Sequence, residues 1–234
     1  MEIAQAGRRA VVANPNVGML YNGGTPYRRR LIDPRGDRCT FVALDEAHLR
    51  SVVAAVDPRW DGGAPFRHAR GPVPAGARLQ LHHLLARLPD ADDLEVEEVL
   101  LELVAAVVGG AVHGGDPVPR TPTERRHRDA VHRMETAVSQ GFRGPLSLDD
   151  VAAAAGLSPF HAARLFRRHT GSTVHAYREQ LRLRAALQAL RRRDVPLDVL
   201  ALELGFTHHS HFTARFRRAF GVPPSAVQRV RAGS

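Results

Sequence analysis

Two arginine pairs, Arg167–Arg168 and Arg217–Arg218, stand fifty residues apart, and each is followed three residues on by a glycine, Gly171 and Gly221. A guanidinium is a planar, permanently charged fork of N–H donors that fits phosphate oxygens, or O6 and N7 of guanine in a bidentate pair. Upstream of the first pair lie Phe160, His161, Ala163 and Arg164, side chains of the kinds that meet base edges. Arg164 has the geometry for guanine, and Phe160 could cover a thymine methyl or cap its own repeat. Upstream of the second pair are His208, His209, Ser210 and His211, with Ala214 where the counterpart of Arg164 belongs and Arg215 beside it. One residue turns a helical side chain by about 100°, so Arg215 cannot simply replace that arginine. The phosphate candidates are Ser158, Arg167, Arg168, Thr207, Arg215, Arg217 and Arg218, with the run Arg191–Arg193 as a further one. For each of them the bland alternative is a solvated charge or a helix cap.

These residues sit in a duplicated frame. Sliding 147–171 onto 196–221 by 49 pairs Leu148 with Leu197, Val151 with Leu200, Ala155 with Leu204 and Gly156 with Gly205. The offset then becomes 50, pairing His161 with His211, Phe166 with Phe216 and Gly171 with Gly221. Each copy reads as a short apolar-periodic helix stopped at a glycine, a tight turn, and a longer helix. Ser158 supplies an N-cap oxygen, Pro159 suits the first helical position, and Thr207 is expected at the second cap. In 158–170 the core side should carry Ala162, Leu165, Phe166 and His169, leaving Phe160, His161, Ala163, Arg164 and Arg167 outward. A helix–turn–helix of this form lays its second helix in the DNA major groove.

Charge supports that reading. All 33 basic residues are arginine and the net charge is +9. Residues 1–122 sum to −1 and residues 123–234 to +10, so the basic excess lies wholly with the duplicated units. A one-sided positive field favours phosphates.

The blocks A-x-x-x-G-L-S, R-x-F-R-R-x-T-G, A-x-x-L-G-F at 201–206, S-H-F at 210–212 and F-R-R-x-F-G-V-P-P at 216–224 resemble the DNA-binding domain of AraC/XylS-family transcription regulators. The resemblance covers roughly 123–234. It implies an α+β chain: a small antiparallel, cupin-like and incomplete sheet plus helices at the N-terminus, and an all-α C-terminal domain with two helix–turn–helix units. It implies domains at 1–118 (sensor or dimerisation) and 123–234 joined by a linker at 119–122, with units at 148–170 and 196–220 and a linker helix at 173–192. It also implies double-stranded DNA as partner, with RNA polymerase, a small-molecule effector and a second copy of the chain as further partners. By the same comparison Arg164 occupies the reading position of the R-x-F motif.

In the first half AVVA, VGMLYN, PYRRRLI and CTFVAL read as four short strands, with turns at NPN, NGGTP and DPRGD. Helical patterns follow at 45–56, 75–88 and 92–108, and HGGDPVPRTP (113–122) reads as the linker. The opening helix of the second half, 124–141, has Val131, Met134 and Val138 on its apolar face. The linker helix 173–192 spans roughly 30 Å at 1.5 Å per residue, close to the ~34 Å between major-groove faces on one side of a duplex. A closing helix starts at Pro223–Pro224, with Ala226, Val227 and Val230 facing the core.

Other classes lose ground. Cys39 alone allows no internal disulfide and no multi-cysteine zinc site. His208 and His211 share a helical face that His209 does not, and no carboxylate or cysteine completes a metal set. No nucleophile–base order or phosphate-binding glycine loop is present in the sequence, and His82–His83 lies in a helical, Leu-rich run that matches no catalytic motif, so no catalytic residue, cofactor or metal is expected. Met1–Ala10 is polar, and Val99–Val112 is short and interrupted by Glu102, which together suggest a cytoplasmic chain with no membrane partner. The remaining alternative is an architectural DNA binder without sequence preference.

Overall fold

The computed structural model describes residues 1–33, 36, 39–89, 91–114, 121–192 and 195–232, without the side chains of 191–192 and 229–232. The expected 118/119 domain boundary, much of the DPRGD loop, and the side chains of Arg191–Arg193 and Val230 lie outside the described residues. Strands β1 (Glu2–Gln5), β2 (Val11–Val12), β3 (Val17–Met19) and β4 (Tyr27–Arg30) precede helix α1 (Glu46–Val56). Strand β5 (Arg70–Pro72), α2 (Ala75–Arg87) and α3 (Asp93–Gly114) complete the first half. The second half is helical: α4 (Pro122–Gly141), α5 (Leu148–Ala155), α6 (Pro159–Thr170), α7 (Val174–Arg192), α8 (Leu197–Glu203), α9 (His209–Phe220) and α10 (Pro224–Ala232). The α+β class expected from the sequence is what the chain adopts.

The strands form two small antiparallel sheets rather than one, in the orders β2-β1-β4 and β3-β5. CTFVAL (39–44) forms no strand; it is mostly exposed, with Phe41 open to solvent and Val42 resting on the α1–α3 core. Two strands went unread. β1 alternates, with Ile3 and Gln5 buried, but its single large apolar residue gives almost no hydrophobic signal. β5 reads Arg-Gly-Pro, and its glycine is there for close packing: a Cβ on Gly71 would collide with the Val107 carbonyl of α3. A first core of Val53, Phe66, Val73, Leu103, Val107 and Val108 lies between β5, α1, α2 and α3.

The larger core belongs to the second half. Val131, Met134 and Val138 of α4 are buried as expected, together with Leu181, Leu183, Leu187 and Leu190 of α7 and Val227 of α10. Thr121 caps α4 with a reciprocal box to Glu124, satisfying two helix-end N–H groups.

The halves are joined by polar bonds around the turn Asn14–Pro15–Asn16. Asn14 Nδ2 donates to Ser139 Oγ at 3.1 Å and to the Tyr177 hydroxyl at 2.8 Å. Burial drives the Tyr177 pKa up, so this phenol stays neutral. Arg184 of α7, only 9% exposed, donates to the carbonyls of Pro15 (2.9 Å) and Val73 (2.6 Å). Arg70 pairs with the buried Glu135 of α4 at 3.2 Å, and His132 meets Glu2 at 2.7 Å. Ala75 and Leu79 of α2 pack onto the second core. The α7 helix is therefore held from the N-terminal side at Tyr177 and Arg184.

Candidate nucleic-acid interface

The first unit folds as its sequence directs. Ser147 and Asp150 form a capping box at the start of α5, and the backbone and hydroxyl of Ser147 hold the Asp150 carboxyl below its ordinary range. Gly156 ends α5 at φ 68°, ψ 36°, the left-handed geometry that glycine adopts freely. Ser158 caps α6, accepting from the His161 N–H at 3.4 Å, and Pro159 takes the first helical position. Ala162, Leu165 and Phe166 face the core. Outward lie Phe160, 76% exposed, and Arg164, Arg167 and Arg168, also exposed. The Arg164 guanidinium rests 5.9 Å from the Phe160 ring centre, so the two form one surface. His161 and Ala163 are half-buried, and His161 turns its ring against His127 of α4 (centroids 6.0 Å apart). His169 is half-buried rather than fully inside, with Nδ1 3.0 Å from the Leu165 carbonyl.

The second unit has the same frame with altered contacts. Phe212, Phe216 and Phe220 bury the inner face of α9. His208, His209, Ser210, His211, Ala214, Arg217 and Arg218 are exposed with the N-terminal half in place. The N-cap is His208, whose side chain makes no capping bond; Thr207, expected there, falls one residue short because α9 begins at His209. Arg215 occupies the angular position of Leu165 in the first unit, but where Leu165 is buried Arg215 stays half-exposed. Its Nε lies 3.6 Å from Glu179 of α7 and donates to His211 Nε2 at 3.2 Å. His211 faces α7 across a cleft of about 190 Å³ also lined by Arg178, Glu179, Arg182, Phe206 and Thr207, and Arg215 is turned toward the same helix by Glu179.

Arg167, Arg168, Arg217 and Arg218 have no ion-pair partner among the described residues, so their charge is available to an anion. Sequence reasoning missed Arg178 and Arg182. Their donors end on backbone carbonyls, and a spacing of four along a helix full of arginines carries no mark of that. Burial, with Arg178 alongside, pulls the Arg182 pKa down to about 10, which leaves it charged at neutral pH. Among the described residues, no three histidine, cysteine or carboxylate side chains converge to hold a metal ion. No helix among them is long and apolar enough to cross a membrane.

Two glycine-punctuated helical units, each with an aromatic or aliphatic inner face and a basic outer face, define a duplicated helix–turn–helix DNA-binding protein. A family model described as a helix-turn-helix domain matches residues 151–229. The chain is 30% identical over 102 residues to the multiple antibiotic resistance protein MarA of Escherichia coli, spanning 43% of this chain and 80% of MarA. It is 37% identical over 105 residues to the HTH-type transcriptional regulator GlxA of Rhizobium meliloti, spanning 44% of this chain but 31% of GlxA. Among solved structures, an AraC-type transcriptional regulator from Chromobacterium violaceum matches 47% of this chain and 95% of its own, at 30% identity and a TM-score of 0.40. The chain belongs to the AraC/XylS family of DNA-binding transcription regulators.

Proposed function

We propose that the chain binds a specific double-stranded DNA site by placing α6 and α9 in two adjacent major grooves, with α7 as the strut between them. The observation that carries this is the pair of matched helices, each buried on its apolar side and open on its arginine-bearing side while the N-terminal half is docked. The 19 residues of α7 amount to about 28 Å at 1.5 Å per residue, against a groove repeat of ~34 Å. Arg164 reads a base, with Phe160 packed beside it. In the second unit His208, His209 and Ser210 take that role, because Ala214 offers no hydrogen bond and Arg215 is engaged with Glu179. Arg167, Arg168, Arg217 and Arg218 hold phosphates and set the register.

Residues 1–118 act as a brace on the strut. Small-molecule control through this half would need a pocket larger than the crevice beside Leu20, Phe66 and Val108, whose volume of about 10 Å³ is that of one water.

Selection from a random duplex library followed by footprinting tests the proposal. The expected result is one enriched site with two protected segments about one helical turn apart, bound roughly a thousandfold more tightly than bulk DNA. Equal affinity for all duplexes with a steep salt slope would instead identify an architectural binder.

A further inference from the structure

The two units differ in how their turns are held. Around Gly156, in the first, the space is open: a Cβ built there meets nothing within 4 Å. Gly205, in the second, is also left-handed (φ 81°), but a Cβ there would collide with the Arg143 carbonyl and come within 2.5 Å of Arg182 Nη2. Arg143 belongs to the segment 142–146 that leads into Ser147, the cap of the first unit. The entrance of the first unit and the turn of the second therefore touch, and the Arg182 guanidinium lies at their junction. Its Nε donates to the Phe142 carbonyl at 2.5 Å, its Nη1 to the Gly205 carbonyl at 2.7 Å, and its plane lies over the Phe206 ring at 5.8 Å. One helical turn earlier, Arg178 donates to the carbonyls of Phe142 (3.2 Å) and Leu146 (3.1 Å), and to that of Gly144.

Buried leucines fix each unit to α7, but beside Arg182 the strut and the second unit are parted by the 190 Å³ cleft. On that side, packing does not set the angle between them. We infer that Arg182, backed by Arg178, is a positioning residue that fixes the spacing and angle between the two reading helices. The inference rests on the two-groove reading proposed above. Only a rigid fork of donors can serve carbonyls from two separate segments while its face covers an aromatic ring; a lysine ammonium is a point charge and cannot.

The test uses the full chain and a duplex selected by the wild type. A second duplex has one half of the site scrambled, the half whose protection Arg164→Ala leaves intact. A third carries one extra base pair between the halves. Arg182→Ala should bind the intact duplex about tenfold more weakly, since it loses part of the gain from linking two binding modules. Its affinity for the scrambled duplex should hold within about twofold, and the penalty for the inserted base pair should shrink. Arg182→Lys should behave in the same way as Arg182→Ala. Equal losses on intact and scrambled duplexes, with the insertion penalty unchanged, would overturn the assignment. If scrambling costs the wild type nothing, the two-groove reading itself falls and takes this inference with it. A DNA-free measurement tells the two failures apart. Spin labels at Ala154→Cys and Leu202→Cys, both exposed, in a Cys39→Ser background should give a narrow distance distribution that broadens with Arg182→Lys. A distribution that stays narrow refutes the positioning role whatever the binding data show.

Discussion

Replacing each turn glycine by alanine separates backbone strain from crowding. Gly156 and Gly205 both adopt positive φ, 68° and 81°, and an L-residue held there costs about 1–2 kcal/mol. For Gly156→Ala that is the whole cost, because the added methyl meets nothing within 4 Å. For Gly205→Ala the methyl also strikes the Arg143 carbonyl and the Arg182 guanidinium. Overpacking of this kind adds about 1–3 kcal/mol, and the obstacle includes backbone, which cannot swing aside as a side chain can. For a chain of this size 1 kcal/mol moves the melting temperature by roughly 2–4 °C. Gly156→Ala should therefore lower it by roughly 2–8 °C, and Gly205→Ala by about twice as much. Thermal unfolding followed by circular dichroism, checked against urea midpoints, reads the difference. Equal shifts for the two variants would refute the claim that the second turn is gripped and the first is not.

Arg164→Ala should cost about 1–3 kcal/mol on the selected site and relax preference at one base pair. Arg217→Ala should weaken all duplexes alike and reduce the salt slope by about one; gel shifts across a salt series distinguish these outcomes. Arg184→Ala leaves the buried Val73 carbonyl without this donor, while the Pro15 carbonyl keeps Arg78 at 2.8 Å, and should destabilise the chain by about 1–3 kcal/mol in urea titration. The Glu2 carboxyl is held below its ordinary range, first by the Arg30 hydrogen bond and also by His132, against the opposing effect of its burial. A depressed carboxylate stabilises the fold above its unfolded value and loses that contribution as pH falls through its folded value. Glu2→Gln should therefore be less stable than wild type at neutral pH, and the gap should close on acidification below about pH 4.5; a gap that persists at pH 2 would exclude this pair as its source.

The second half was legible because its signals are local and repeated. Gly156, Ser158 and Pro159 mark a turn and a cap within four residues, and the copy at 205–209 confirms the frame even though its cap slips by one. Ala162, Leu165 and Phe166 were found on the core side from the helical period alone. The first half was less legible. β1 and β5 owe their strand pairing to neighbours, Val11–Val12 and Val17–Met19, and to the tight seat of Gly71 on α3. CTFVAL has strand composition but finds no partner among the described residues. In the site, Arg215 stands one residue after Ala214, the counterpart of Arg164: the period turns it away from the open face, and Glu179, thirty-six residues away in sequence, pairs with it there. The hydrogen bonds of Arg182 and Arg184 end on main-chain oxygens, which every residue possesses, so sequence reading had nothing to single them out.

Tyr177 and Arg184, which receive the Asn14–Pro15–Asn16 turn, are seven residues apart on α7, about 10 Å along its axis. The turn thus holds the shaft that both units share and bonds to neither of the exposed arginine-bearing faces. A displacement there would tilt the whole lever, so the left and right parts of the footprint would strengthen or weaken in step.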